Sequence, residues 1–280
     1  MDAITNSLSQ VFITSNKSSQ RLYIFTGKGG TGKTTLAMSY ALALKNSGKK
    51  VYYVAFDQIP DAKICRKIDL PFLSLIQEEV TLEFVTEKLG TRILANWIIQ
   101  SAFFKALIQM LPGVMYLILL GDILKRLERE NDLHIILDLP SSGHALTLFE
   151  APANFSSIFG KGPLFEDLKL FKHQLFSSHF TKVTICSLPS ELSYNEATEL
   201  ADELRALDKT NIHILFNNSF ASLDLDEKKL PAILKKKIKL EQKVLDEGEK
   251  NGVKIIIPAI NLNTPSERVK AIAKLWENYK

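Results

Sequence analysis

The sequence predicts an α/β fold in which a mostly parallel sheet is covered by helices on both faces. Three observations predict it. Short runs of β-branched and aromatic residues recur along the chain, helical stretches separate them, and a glycine-rich loop joins the first run to the first helix. With 280 residues and 46% hydrophobic content, the chain has ample material for a full core.

The first strand is expected at residues 22–26, where Leu-Tyr-Ile-Phe-Thr is apolar and aromatic. Helix formers follow over residues 36–45 and stop at Gly48, a residue suited to a helix end. Further buried strands are expected at 50–56, 134–139, 182–187 and 211–217, with a shorter one at 253–257. Between the second and third strands, residues 69–129 show several helical patterns and no strand signal, so they read as a helical subdomain inserted into one domain spanning 1–280. Residues 1–20 read as a polar lead-in with neither a basic region nor a long apolar one, so no secretory signal is expected. No internal repeat or low-complexity linker divides the chain.

Residues 27–35 read Gly-Lys-Gly-Gly-Thr-Gly-Lys-Thr-Thr and fit G-x-x-x-x-G-K-[ST] at each fixed position. The strand before and the helix after supply the setting this phosphate-binding loop requires. Gly27, Gly29, Gly30 and Gly32 let the main chain approach an anion, and the N–H groups from Lys28 through Thr31 and into the helix converge on it. Lys33 is placed to reach β and γ phosphates, Thr34 to ligate Mg²⁺, and Thr35 to add a hydroxyl at the α phosphate. The fold class is therefore that of a P-loop nucleoside triphosphatase, with a nucleoside triphosphate and Mg²⁺ as the expected ligands.

Carboxylates at strand ends are the next parts to seek, because phosphoryl transfer depends on metal, charge neutralisation and a positioned water. Asp138 closes the apolar run 134–139 and is assigned to a metal-bound water, with Gly143 free to respond to a γ phosphate; a helix N-cap or plain turn is the competing reading. Asp57 closes Val-Ala-Phe-Asp and is placed to orient an attacking water, although Asp before Gln-Ile-Pro also suits an ordinary turn. His144 reads equally as a switch residue and as a surface histidine. Asn217 ends the run 211–217, where its amide can meet an adenine edge or simply make a turn.

Composition narrows the partners. A net charge of +4 with 24% charged residues gives no mandate for nucleic acid. Cys65 and Cys186 form no C-x-x-C pair, which argues against a disulfide framework or zinc knuckle and suits a reducing cytoplasm. The lysines 235–237, with Lys239 and Lys243, read as the solvated face of an amphipathic helix, with anionic lipid or partner contact as the other reading. Residues 93–124 are unusually apolar, but Lys105, Asp122 and Pro112-Gly113 interrupt them below the ~20 residues a membrane span requires. They read either as helices buried on the sheet or as a groove for a client's apolar helix, which Met110 and Met115 would suit.

Taken together, these motifs resemble the ArsA family, the deviant Walker A ATPases that include arsenite-pump ATPases and ATPases targeting tail-anchored membrane proteins. Residues 28–35 match Lys-Gly-Gly-x-Gly-Lys-Thr-Thr, shared with MinD and ParA. Residues 138–144 are similar to the switch II element Asp-x-x-x-Thr-Gly-His, and the continuation through Ala151-Pro152 separates ArsA relatives from MinD and ParA. Leu188-Pro189-Ser190-Glu191-Leu192, with Glu196 and Glu199, is similar to the family's Pro-Glu-x-Leu segment. Asn217 matches the family's adenine-contacting asparagine, and Pro258 falls, more loosely, at the second adenine-side segment.

The resemblance implies two chains, identical or not, closing over two ATP molecules, with Lys28 of each reaching the phosphates of the other as an arginine finger does. It also implies a hydrophobic helical client for some members. The switch I sequence departs from the family's Asp-Pro-Ala-His, since Asp57 is followed by Gln58-Ile59-Pro60-Asp61. The zinc-binding C-x-x-C and the clustered metalloid-binding cysteines are absent from the sequence. Two alternatives stand beside this one: a MinD- or ParA-like positioning ATPase, and a nucleotide-binding subunit that hydrolyses weakly and pairs with an active homologue.

Overall fold

The computed structural model describes residues 20–159, 163–209, 211–226, 228 and 230–277. Its centre is a seven-stranded sheet in which the pairings are parallel, as the buried runs require. The strands are β1 (Leu22–Thr26), β2 (Lys50–Ala55), β3 (Phe72–Leu73), β4 (Leu133–Asp138), β5 (Thr181–Ser187), β6 (Ile212–Ser219) and β7 (Ile255–Pro258). Their order across the sheet is β3-β2-β4-β1-β5-β6-β7. Every residue of β1, β4 and β5 is buried, which explains why they read as continuous apolar runs with no alternation.

The expected strands all form, with ends displaced by a residue or two. The expectation of no strand within 69–129 is overturned by β3, two residues paired to the outer side of β2. So short a strand has no periodicity to read; backbone pairing with Tyr53 and Val54 makes it.

One face of the sheet carries α1 (Lys33–Asn46), α2 (Ala62–Lys67) and α11 (Pro265–Glu277), whose apolar sides meet Tyr23, Phe25, Tyr53 and Leu215 in a shared core. The apolar side of α11 is occupied there: Val269, Ile272, Ala273 and Trp276 are buried, and the Trp276 indole N–H donates to Ser39 Oγ of α1 at 3.0 Å. The opposite face carries α6 (Pro112–Arg129), α7 (Ser142–Phe159), α8 (Pro163–Phe176) and α9 (Glu191–Ala206). Beyond them, α10 (Ala232–Lys250) buries Val244 and Leu245 against Phe216 and Tyr194, and its lysines 235–237, 239 and 243 are exposed, as the amphipathic pattern predicts.

Residues 93–124 divide in two. The later part is core: Tyr116 to Leu120, Ile123 and Leu124 of α6 are buried on the sheet. The earlier part is not. Helix α4 (Arg92–Gln100) packs on α3 (Gln77–Leu89) and leads into α5 (Ala102–Met110), and together α4 and α5 leave Ile93, Trp97, Phe103 and Met110 at 88%, 71%, 78% and 78% exposure. Pro112 occupies the first position of α6, where its missing N–H costs nothing, and so separates the exposed pair from the buried helix.

Candidate functional site

The strand order places β1 between β4 and β5, so the loop after β1 lies at the middle of the carboxyl edge, where ligands bind in such sheets. Gly27, Gly30 and Gly32 have φ of 132°, 84° and 87°, a region costly for other residues. Close approach adds to this at two of them. A Cβ on Gly27 would stand 2.3 Å from Cys186 O, and one on Gly32 would stand 2.3 Å from Asn217 Nδ2. Among the described residues, no protein acceptor takes the backbone N–H groups of residues 28–35, which leaves them available to an anion at the positive end of α1.

Lys33 folds back over this loop and donates from Nζ to Lys28 O at 3.0 Å; the Thr31 hydroxyl donates to the same oxygen at 2.9 Å. Burial lowers the Lys33 pKa, and the neighbouring Cys186 and Asp138 oppose that shift. Lys28 turns outward, about half exposed, and pairs with Glu196 of α9. Thr34 is exposed at the start of α1 and Thr35 half-buried beside it.

Asp138 closes β4 directly beside β1 and is 1% exposed. Tyr53 donates to its Oδ2 at 2.9 Å, whereas Oδ1 is buried with no hydrogen-bond partner among the described residues. Burial raises its pKa, and the neighbouring Thr34 and Tyr53 hydroxyls and Lys33 charge act against that rise. A buried carboxylate oxygen without a partner, next to the Thr34 hydroxyl and the phosphate loop, fits a hydrated Mg²⁺, which keeps most of its water ligands and takes few from protein.

Asp57 lies one strand further out, at φ 56° after β2. Gln77, the first residue of α3, donates to its Oδ1, and Tyr116 of α6 donates to Oδ2 at 3.2 Å and also meets His144 Nδ1. Gln58 donates to Asp138 O at 3.4 Å. The unusual residues after Asp57 have a structural role: Asp61 caps α2, accepting from the N–H groups of Lys63 and Ile64 at 3.0 Å each. Gly143 is exposed in the first turn of α7, with His144 behind it.

On the other side, the β6–β7 ladder is irregular between Phe216 and Ser219, and Asn218 takes φ 59°. This bulge turns Asn217 toward the phosphate loop, where its Nδ2 donates to Thr31 O at 2.8 Å. Pro258 sits opposite Ser219 at the end of β7. A cleft of about 760 Å³ lies nearby between α9 and α10, walled by Leu188, Pro189, Ile233, Leu240 and Lys237, and no residue of the phosphate loop lines it.

The parts missed by sequence reading are Tyr53, Gln77, Gln58 and the hydroxyl of Tyr116. Each belongs to a segment that reads as ordinary core, helix or turn, and only the fold brings it to Asp138 or Asp57.

Fold and site together define a P-loop α/β protein with a Lys-Gly-Gly-Thr-Gly-Lys-Thr-Thr loop and a buried carboxylate at the adjacent strand end. The profile of the anion-transporting ATPase family (ArsA_ATPase) matches residues 20–166, just over half of the chain, and the chain belongs to that family. It is 23% identical over 226 residues to the Aquifex aeolicus protein described as "Putative arsenical pump-driving ATPase 2", a match spanning 75% of this chain and 71% of that protein. It is 27% identical over 223 residues to ATPase BagA of Mycobacterium tuberculosis, spanning 69% of this chain and 64% of that protein, a little under two thirds of its length.

Proposed function

We propose that this chain binds and hydrolyses Mg²⁺-ATP as a nucleotide-switched dimer, and that α4 and α5 present an apolar surface to a hydrophobic helical client. The observation that carries the reading is the unpartnered, buried Asp138 Oδ1 beside Thr34 and the open N–H groups of residues 28–35. In this reading those N–H groups and Lys33 bind the β and γ phosphates. Thr34 and, through water, Asp138 hold Mg²⁺, which supplies charge neutralisation at the phosphate oxygens. Asp57 orients the attacking water; Asn217 and Pro258 face the adenine.

Lys28 is the residue that requires a second chain. Its neighbour Glu196 leaves it on the exposed rim of its own loop, from which it can reach phosphates bound by a partner. Release from an exposed ion pair is cheap, since such pairs are worth about 0–1 kcal/mol. The whole chain is read as one ATPase unit with residues 69–129 as its client-facing part, working in the cytoplasm. A metalloid role is not part of the proposal, because both cysteines are buried and burial raises their thiol pKa values.

A second reading is favoured by one observation: both Asp57 oxygens are engaged by residues of the helical segment, Gln77 and Tyr116. A chain that binds nucleotide, hydrolyses it slowly and pairs with an active homologue would fit that arrangement.

The test is the mass of the purified chain in solution with ATP or a slowly hydrolysed analogue, together with its steady-state ATPase rate. A dimer that forms with the analogue, and a Lys28→Ala variant that keeps nucleotide affinity but loses turnover at least tenfold, support the first reading. Undiminished turnover in Lys28→Ala would sink the trans-lysine mechanism. A chain that binds ATP yet stays monomeric and idle favours the second reading.

A further inference from the structure

We propose that Tyr116 is a positioning residue for hydrolysis: its hydroxyl ties the Asp57 carboxylate to His144, so that the turns after β2 and β4 are held as one unit against α6. The proposal rests on the reading that the chain hydrolyses ATP and extends it to a residue outside the phosphate-binding motifs.

Tyr116 stands on a rigid base. The turns of α6 that follow it bury Leu117, Ile118, Leu119, Leu120, Ile123 and Leu124 on the sheet. Its ring packs edge-on to Phe56, the residue before Asp57, with centroids 5.4 Å apart, and lies 5.8 Å from the His144 ring. The side chain therefore grips Asp57 twice, by packing on its neighbour and by its own hydroxyl.

Proton counting gives the link a direction. A phenol has one proton to donate, and the Asp57 carboxylate has none. Donation from Tyr116 to Asp57 Oδ2 leaves the phenolic oxygen to accept, so His144 must carry its proton on Nδ1 and donate it to Tyr116. Burial and the Asp57 charge push the Tyr116 phenol up to about 12, so it keeps its proton through the neutral range. The resulting chain, His144 to Tyr116 to Asp57, runs from the first turn of α7 to the end of β2.

Asp57 needs such support. Its φ of 56° is a left-handed conformation, which persists in a non-glycine residue only when surroundings hold it. Gln77 secures the other oxygen from the start of α3, a helix that packs on α6. Each carboxylate oxygen accepts more than one hydrogen bond, so an attacking water can still be oriented by the held group. A change in the helical segment that moves Tyr116 would displace Asp57 and His144 together.

The test uses the full chain carrying Tyr116→Phe, which keeps the ring on Phe56 and removes only the hydroxyl. The expected result is a fall in kcat of about tenfold with KM for ATP within about twofold, the pattern of an interaction made in the transition state. Adding Tyr116→Phe to Asp57→Asn should cost nothing further, because the hydroxyl acts through that carboxylate. An unchanged or raised kcat, a loss appearing only in KM, or fully additive losses would overturn the proposal. If the wild-type chain itself shows no turnover, the hydrolysis reading fails separately. The tie is then read from the nitrogen-15 resonance of His144 Nδ1 with and without a slowly hydrolysed ATP analogue. A nucleotide-dependent shift in the wild type that Tyr116→Phe removes supports the tie, and a resonance indifferent to Tyr116→Phe refutes it.

Discussion

Gly32→Ala tests the phosphate loop where backbone conformation and a side-chain contact act together. Gly32 lies at φ 87°, ψ 20°, where an alanine costs about 1–2 kcal/mol from its Cβ and carbonyl contacts. The added Cβ would also stand 2.3 Å from Asn217 Nδ2. Relief requires the amide to swing away and give up its 2.8 Å bond to Thr31 O, a loss of about 1 kcal/mol. The single variant is therefore expected to lose about 2–3 kcal/mol. Asn217→Ala alone should lose about 1 kcal/mol, the same hydrogen bond. That bond can be lost only once, so the double variant should fall about 1 kcal/mol short of the sum of the singles. Urea unfolding of the four proteins measures the cycle, and ATP binding to each reports whether the loop keeps its shape. Strictly additive singles would refute the reasoning, since they would mean that the Cβ of residue 32 and the Asn217 amide never compete.

Two further outcomes are expected. Trp97→Asp should leave unfolding stability within about 0.5 kcal/mol, because the side chain is 71% exposed, yet abolish ATP-dependent binding of an apolar helical peptide; retained binding would remove α4 from the client surface. Lys209 is fully buried, with Nζ donating to Leu175 O and Thr181 O, and burial lowers its pKa to about 7. A lysine in the unfolded chain titrates near about 10.4, so between these values unfolding takes up a proton and stability rises with pH; as pH falls through about 7 the gain is lost. Lys182, also lowered to about 7 by burial, adds to the same slope. Unfolding curves between about pH 7 and pH 10 should be flatter for Lys209→Met, and equal slopes would show that Lys209 keeps its proton when folded.

The sequence made the phosphate loop and Asp138 legible because their signals are local. The loop is nine consecutive residues between a strand and a helix, and Asp138 ends a short apolar run of the kind that forms a buried strand. What surrounds them was not legible, for a physical reason. Tyr53 meets Asp138 across 85 positions of sequence, Tyr116 meets Asp57 across 59, and Gln77 meets Asp57 across 20. Tyr116 sits in Val-Met-Tyr-Leu-Ile-Leu-Leu, where periodicity marks it as core, and core it is, apart from one oxygen. The apolar run 93–124 was ambiguous for a related reason: hydrophobicity records which residues avoid water, and says nothing of whether this chain or another covers them. Residues 1–20 have the composition of a polar lead-in, and all but the last of these lie outside the described residues.

The same limit bears on the altered switch I sequence. Read alone, Gln58-Ile59-Pro60-Asp61 departs from the Pro-Ala-His that follows the aspartate in the resembled family, and so reads as a weakening of catalysis. In the fold, Asp61 caps α2 and thereby seats buried Cys65 in the core on the α1 face, and Gln58 reaches the backbone of Asp138. These residues fix the loop to β4 and to its own helix. Asp57 itself is held by Gln77 and Tyr116, side chains of the helical segment. If the chain hydrolyses ATP as proposed, its rate turns on that grip, which lies in the same segment as the exposed helices α4 and α5.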